Sequence, residues 1–354
     1  MSVLSNLLTL WAVTYVFCGI GIALVVGLII PPFGAVLAWI VSWPMRYVTG
    51  VAGLLGAIPI GNVPADNIYM ILFLGFLYVL VVLFLRSPKS KISVFLCCGL
   101  LALSICSAAS FAESRLDKFR VTVLDVGQGQ CILIQSGEEC YMVDCGGGNG
   151  TYTASTAVRA LWSNGFYRIN GIILTHYDED HVNGVEPFLV QMGADKIFMP
   201  DSEDKDGFRH GIEDNFRGTV NLVKERMTIP CGRGEITIFP SYPGATGNET
   251  SLCILFQAAD CDILITGDRN KSGELQLMEQ TALPDLEALI VGHHGAKSST
   301  SLDLLRATMP EVAIISVGKD NFYGHPDEET LGRLNLFGCR ILRTDRDGTI
   351  IIRR

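Results

Sequence analysis

The chain has 354 residues, of which 49% are hydrophobic, and a formal net charge of −9 at pH 7. Residues 1–112 hold four cations and one carboxylate, a net of +3, so the remainder carries −12. That acidic balance argues against a broad DNA-binding surface, because phosphate backbones attract clustered cations. A nearly uncharged segment followed by an acidic one predicts a membrane region at 1–112 and one water-soluble domain at 113–354.

Three apolar runs in the first part are long enough to cross a bilayer. They cover residues 7–30, 68–85 and 92–112, and a membrane-spanning helix needs about 20 residues. The segment 33–67 is rich in Gly, Pro and Trp, which predicts an interfacial or re-entrant segment instead of a further span. A cleaved signal peptide is not expected, because the first run lacks a basic amino-terminal flank.

The short loop of residues 86–91 determines the expected orientation. Its three cations are Arg86, Lys89 and Lys91, and cations in short loops favour the cytoplasmic side. The third span then runs outward. The sequence therefore predicts a multi-pass protein of the cell (plasma) membrane, with the domain at 113–354 on the external face.

Strand-like and helical segments alternate along the second part. A meander of three strands is expected over residues 119–143, whereas 201–230 shows no clear pattern. Residues 339–343 and 349–352 predict a closing hairpin. Many strands with helices between them indicate an α/β fold of two sheets sandwiched by helices. Most of the seven cysteines of this part are expected to be small core residues, because no metal-binding spacing appears.

The densest chemical signal is THYDEDH at residues 175–181, directly after the apolar run 172–174. Four candidate metal ligands lie there: His176, Asp178, Asp180 and His181. Clustered carboxylates repel each other unless something binds between them. The alternative, a polar loop with accidental histidines, is disfavoured by this density of ligands.

Three later motifs, TGD, GHHG and YGHP, follow further predicted strands. They supply these candidates: Asp268, His293, His294 and His325. Lys297 follows the histidine pair and could hold a phosphate; the alternative is a solvated lysine beside a serine that begins a helix. For His325, a role as donor to phosphate and a structural role beside Pro326 both stay open. His210 is expected to be a surface residue.

Eight motifs occur in a fixed order: LDVGQGQ at 124–130, VDCGGG at 143–148, THYDEDHVNG at 175–184, NETSL at 248–252, TGD at 266–268, GHHGAKSS at 292–299, YGHP at 323–326 and TDRDGTI at 344–350. In this order they resemble the metallo-β-lactamase superfamily and, more narrowly, the hydrolase domain of the ComEC family of DNA-internalisation competence proteins. The apolar segment before them is similar to the last channel helices of that family. The resemblance implies a metallo-β-lactamase-like αββα sandwich preceded by about three membrane-spanning helices. A shortened paralogue, a split gene and a carboxyl-terminal fragment are all compatible with it.

The resemblance also implies two divalent metal ions, zinc or manganese. His176 and Asp178 would hold the first ion. Asp180, His181 and one histidine of the later pair would hold the second, and Asp268 would bridge the two.

Several ligand assignments stay open at this point. His293 is preferred as the late ligand, although the sequence does not separate it from His294. Asp178 stands where the wider superfamily has a histidine, and a carboxylate there makes manganese plausible beside zinc. No further histidine completes the first site. Asp144 either orders the loops under the site or caps a turn.

The predicted function is that of a membrane-anchored, metal-dependent phosphodiester hydrolase, a nuclease acting on DNA during uptake (competence). Asp180 would orient the attacking hydroxide, and Lys297 and His325 would assist at the phosphate. The implied partners are DNA, as a single strand or an incoming duplex, the membrane, and other channel subunits of a DNA-uptake complex. Two alternatives remain: an envelope hydrolase of small or lipid-linked phosphodiesters, and a non-catalytic channel component with a degenerate metal site. β-lactam hydrolysis is not expected, because a shared fold does not determine the substrate.

Overall fold

The structure, a computed structural model, describes residues 2–56, 68–86, 91–202, 204, 207–242 and 244–354. It consists of two compact units, Met1–Asn67 and Ile68–Arg354. The division predicted at residue 112, between a membrane region and a water-soluble domain, stays a prediction.

The first unit is a pair of helices, α1 (Ser2–Ile29) and α2 (Pro31–Gly56). Pro31 suits the start of α2, because its missing N–H would have no helical partner there. The helices approach closely where Gly27 faces Gly34: a Cβ added to Gly34 would lie 2.3 Å from the Cα of Gly27. This close packing therefore depends on glycine.

Among the described residues, three helices are long and apolar enough to cross a membrane: Ser5–Ile29, Ile68–Arg86 and Ile92–Ala109. They coincide with the three predicted apolar runs, and the last two belong to α3 (Ile68–Arg86) and α4 (Ile92–Leu116). Helix α2, which contains Pro44, is not among them. The predicted interfacial segment 33–67 is helical as far as Gly56, and its remainder lies outside the described residues, as do residues 87–90 of the orientation loop.

The second unit contains two seven-stranded sheets. The strands of the first sheet are β1 (Arg120–Val123), β2 (Ile132–Ser136), β3 (Glu139–Val143), β4 (Arg168–Ile173), β5 (Gly193–Pro200), β6 (Thr219–Val223) and β14 (Ile350–Arg353). Their order is β14-β1-β2-β3-β4-β5-β6. The strands from β14 to β3 pair antiparallel, and those from β3 to β6 pair parallel. The predicted amino-terminal meander is confirmed by β1, β2 and β3.

The second sheet has the same size and a similar mixture of directions. Its strands are β7 (Met227–Cys231), β8 (Gly234–Phe239), β9 (Cys253–Ala258), β10 (Cys261–Ile265), β11 (Ala288–Ile290), β12 (Val312–Ile315) and β13 (Arg340–Arg343). Their order is β13-β12-β11-β10-β9-β8-β7. Strands β10 to β13 pair parallel, so their carboxyl ends meet at one edge.

Helices cover the outer faces of both sheets. They are α5 (Gly150–Ser163), α7 (Val185–Gln191) and α8 (Phe208–Asn215) on the first sheet, and α9 (Lys271–Gln280), α10 (Leu302–Thr308) and α11 (Glu328–Leu336) on the second. The four-residue helices α6 (Glu179–Val182) and α12 (Thr344–Asp347) lie in connecting segments. Alternation along β10 shows the layering: Ile263 and Ile265 belong to the cluster shared by both sheets, and Leu264 belongs to the cluster under α9 and α10. The predicted αββα sandwich is confirmed.

Two details of the prediction need revision. The closing hairpin is wrong: β13 extends the second sheet beside β12, and β14 pairs with β1 in the first. The turn α12 and Gly348, at φ +68°, carry the chain from one sheet to the other. Within 201–230, the described residues form α8, β6 and most of β7. All seven cysteines of the domain are buried and free, which confirms them as core residues.

Candidate metal centre

The candidate ligands follow the carboxyl ends of strands in both sheets. His176 lies after β4, Asp268 after β10 and His293 after β11. Because the two sheets pack face to face, these loops meet above the inner core. The structure therefore brings together side chains that are more than 100 positions apart in the sequence, such as His181 and His294.

A first group of ligand atoms consists of His176, His181 and Asp268, all buried and within 4.8 Å of one another. The carboxylate of Asp268 approaches both rings: its Oδ2 is 3.7 Å from His176 Nε2, and its Oδ1 is 3.3 Å from His181 Nε2. His176 Nε2 has no hydrogen-bond partner although it is buried. A buried polar atom without a partner is costly, so this nitrogen is suited to binding a cation.

A second group consists of Asp180, His181 and His294, again within 4.8 Å. His294 Nε2 lies 3.1 Å from Asp180 Oδ2 and 3.3 Å from His181 Nε2. His181 belongs to both groups. The two groups therefore form one continuous centre instead of two separate sites.

The opposite ring nitrogens show that this centre requires positive charge. His294 Nδ1 lies 2.8 Å from the carbonyl oxygen of Ser316, which can only accept, so this nitrogen donates. His181 Nδ1 donates to Asp144 Oδ2 at 2.7 Å. The facing Nε2 atoms of the two rings then present lone pairs to each other, which is unfavourable unless a proton or a metal cation lies between them. The donor set of imidazoles and carboxylates fits zinc or manganese.

The pKa values of two groups in the centre show the same requirement. Burial lowers the pKa of His181, but the carboxylates of Asp268 and Asp144 outweigh it and raise the pKa well above its usual value. Burial raises the pKa of Asp180, but the hydrogen bond from His294 and the charge of His181 lower it to about 2. A bound cation would take the place of the proton on His181.

Asp144 supports the centre from below. It is buried, with φ at +56°, and its carboxylate accepts from the backbone N–H and the hydroxyl of Thr175 and from the amide of Gln130. Because the Thr175 hydroxyl donates to Asp144, its oxygen is free to accept from His176 Nδ1 at 2.9 Å. Asp144 thus orients His181 directly and His176 through Thr175, and the loop-ordering role is favoured over turn capping.

The close approach of two loops also depends on glycine at 146. A Cβ added to Gly146 would lie 2.2 Å from the carbonyl carbon of Asp180 and 2.3 Å from the backbone nitrogen of His181. No side chain fits in that space. The glycine run after Asp144 therefore lets the loop of residues 175–181, which carries four candidate ligands, lie directly on the end of the neighbouring strand β3.

The histidine pair occupies two different places. His294 faces Asp180 and His181, whereas the preferred candidate His293 has its Nε2 3.5 Å from Asp268 Oδ2. Both residues have positive φ, 49° and 53°, a conformation that costs free energy outside glycine. This strained turn directs the two imidazoles to different sides of the centre.

The other predicted site residues lie at the rim. Asp178 Oδ2 is 3.6 Å from His176 Nε2, and its side chain is largely exposed; the imidazole of His176 lowers its pKa. The ring of His325 lies 5.7 Å from that of His293. Lys297 is on the surface, where its Nζ pairs with Glu329 at 2.6 Å. His210 is exposed on α8, as expected.

Two further residues at the centre were not assigned a role from the sequence. Asn248 places its side-chain nitrogen 3.1 Å from His293 Nδ1, and Ser316 supplies the carbonyl that orients His294. Asn248 lies in the NETSL motif, so a signal for it was present. The sequence contains no signal for the role of Ser316, because the backbone carbonyl of any residue could accept this hydrogen bond from His294.

An acidic cleft of about 750 Å³ opens beside the first group. His176 and Asp178 line it together with Asp201 and Lys224. Lys224 pairs with Asp201 at 3.5 Å, and Arg209 pairs with the same carboxylate at 3.3 Å. The basic residues on this side are therefore largely neutralised.

Comparisons with known proteins identify the family of the chain. The family model described as Metallo-beta-lactamase superfamily matches residues 124–319, more than half of the chain. That range includes both ligand groups. Among solved structures, the metallo-beta-lactamase fold protein YhfI from Bacillus subtilis aligns over its whole length with 67% of this chain, at 12% identity and a TM-score of 0.47.

The chain is also similar in sequence to several bacterial proteins. The chain is 28% identical to ComE operon protein 3 of Bacillus subtilis (strain 168), over 88% of this chain and 42% of that protein. It is 30% identical to Competence protein ComA of Neisseria gonorrhoeae, over 65% of this chain and 31% of that protein. It is 26% identical to Recombination protein 2 of Haemophilus influenzae, over 74% of this chain and 32% of that protein. The chain thus spans less than half the length of each.

The role of Asp144 is tested by Asp144→Asn. An amide offers one acceptor oxygen in place of two, so it cannot receive the bonds from Thr175, Gln130 and His181 together. We expect metal affinity to fall about 10- to 100-fold, as for the loss of other groups that orient metal ligands. Chelator competition measures the affinity. Asp125→Asn is the matched control, because Asp125 caps the Gly127 N–H outside the centre; equal affinities in both variants would contradict the role.

The histidine pair is separated by comparing His294→Ala with His293→Ala. We expect His294→Ala to bind one metal ion fewer per chain, because the second group loses one of its three ligands. His293→Ala is expected to keep that ion. Metal analysis after dialysis gives the stoichiometry, and the reverse result would show that His293 is the late ligand.

Proposed function

Because the chain belongs to the metallo-β-lactamase superfamily and is ComEC-like, we propose that its metal centre hydrolyses phosphodiester bonds, with DNA as the substrate during uptake. The observation that carries the proposal is the pair of overlapping ligand groups that share His181, with one oxygen of Asp268 near His176 and the other near His181. Such a centre suits a pair of divalent ions, zinc or manganese.

When bound, the ions would supply hydroxide at neutral pH and neutralise charge on a phosphoryl oxygen. Asp180 remains ionised, because its pKa is about 2, and part of its side chain faces solvent. Its carboxylate can therefore accept a hydrogen bond from the attacking nucleophile as well as bind metal. Asp268 is also ionised: burial raises its pKa, but His181 and His176 hold it well below the usual value.

The rim residues bind and orient phosphate in this proposal. Burial and the neighbouring His293 lower the pKa of His325, so the ring is neutral at physiological pH and can donate one hydrogen bond to a phosphate oxygen. Lys297 would contribute only after its ion pair with Glu329 opens. The substrate is supported by relatives named for competence and recombination.

The membrane placement is part of the same proposal. Three helices can cross a membrane, and together with the ComEC-like relatives they indicate a membrane protein. We place the cations of residues 86–91 on the cytoplasmic side and the sandwich outside the cell, in a multi-pass arrangement. Other channel subunits of an uptake complex would then be its partners.

Asp180→Ala in the full chain, purified in detergent, tests the proposed hydrolase. We expect cleavage of labelled DNA in manganese or zinc to fall on the order of a hundredfold or more, because a positioned general base is removed along with a ligand. Thermal unfolding checks that the variant is folded. Glu179→Ala is the matched control, since the neighbouring Glu179 carboxylate is exposed.

Three outcomes would contradict parts of this proposal. Activity that persists after metal removal would exclude the metal-dependent mechanism. Turnover of small or lipid-linked phosphodiesters without DNA cleavage would indicate an envelope hydrolase of another substrate class. A chain that binds fewer than two ions and cleaves no phosphodiester would indicate a non-catalytic channel component.

A further inference from the structure

The loop of residues 318–326 presents two adjacent aromatic rings to solvent. Phe322 has a relative exposure of 105%, the highest of any large apolar side chain among the described residues, and Tyr323 is 69% exposed. Single exposed apolar residues are ordinary, but two adjacent rings beside a functional centre indicate a binding surface.

A line of rings connects this aromatic pair with the metal centre. Tyr323 stacks on His325, with ring centres 5.9 Å apart and planes inclined by 14°. His325 lies 5.7 Å from the ring of His293, and His293 Nε2 is 3.5 Å from Asp268. A group held on Tyr323 is therefore adjacent to the rim of the centre.

The base of the loop is held in one conformation. The side chain of Asn321 donates to the carbonyls of Gly318 and His325, and it accepts from the His325 N–H. The Asp327 N–H donates to the carbonyl of Gly295, which directly follows the histidine pair 293–294. A ring pair on a braced loop loses little conformational entropy when it binds a ligand.

Charge alone provides little attraction for a nucleic acid here. The cleft on the other side of the centre is acidic, and its cations are paired with Asp201. Near the aromatic pair, Lys319 is exposed and forms no ion pair with the described residues. Lys297, at the same rim, is paired with Glu329. Apart from any metal ions bound in the centre, aromatic stacking assisted by Lys319 is thus the main attraction available beside this loop.

We propose that Phe322 and Tyr323 form a stacking platform for unpaired nucleobases, and that the substrate class of the centre is single-stranded nucleic acid. The inference rests on the proposed function and names its substrate more closely. Aromatic side chains stack on bases of any sequence, whereas the bases of a duplex are already stacked on each other. Lys319 is placed to pair with the phosphate backbone of the same strand.

The test measures binding separately from cleavage. The full chain in detergent, with EDTA present, is titrated with a fluorescein-labelled single-stranded oligonucleotide and with an abasic oligonucleotide of equal length and charge. We expect the native chain to prefer the strand with bases. Replacing both rings with alanine should raise Kd for that strand roughly 5- to 150-fold, the range expected for one stacked base, and leave the abasic Kd unchanged.

Two control variants make the result specific to stacking. Phe322→Trp with Tyr323→Phe keeps two aromatic faces and should retain the native affinity. Tyr167→Ala removes a similarly exposed aromatic ring, 54% exposed, at the amino-terminal end of β4, whereas the centre lies at the other end. It should bind both oligonucleotides like the native chain.

The outcomes separate this inference from the proposed hydrolase. Equal affinities for the two oligonucleotides, or an alanine variant that weakens both equally, would overturn the stacking platform even if DNA is cleaved. A native chain that prefers a duplex over the single strand would overturn it as well. So would a double alanine variant with changed attachment to lipid vesicles but unchanged affinity for DNA. A chain that cleaves nothing but binds bases in EDTA would overturn the hydrolase and support the platform.

Discussion

The carboxylate of Asp144 is the interaction on which the rest of the centre depends. It is buried under the ligand loops and accepts from His181, Thr175 and Gln130. Through these bonds it determines which nitrogen of His181 and His176 faces inward. The imidazoles can act as metal ligands only because their other nitrogens already donate, which is the usual arrangement of orienting groups around metal-bound histidine.

Charge links this local arrangement to the whole domain. The part of the chain after residue 112 carries −12, and that balance includes the carboxylates of the centre. Such a surface repels an anionic substrate, and cations bound in the centre would reduce that repulsion. Metal binding and attraction of substrate would therefore be coupled.

Much of the centre could be predicted because its residues follow apolar strands in recognisable motifs. The THYDEDH loop and Asp268 are examples, and the structure brings them together. The choice between His293 and His294 could not be predicted, because it depends on a strained turn in which both residues have positive φ. The prediction of a closing hairpin was wrong for a related reason. The local sequence pattern identifies two strands but not the sheet that each strand joins.

The pairing of β14 with β1 has a consequence for how the domain is made. Arg120 and Arg353 are register partners, so the two paired strands are separated in sequence by nearly the whole domain. During synthesis, the edge of β1 that faces away from β2 stays unpaired until β14 has emerged, and contacts of such long range form slowly. An unpaired strand edge is a site for aggregation, so this topology exposes the nascent domain to that risk until its final strand is in place.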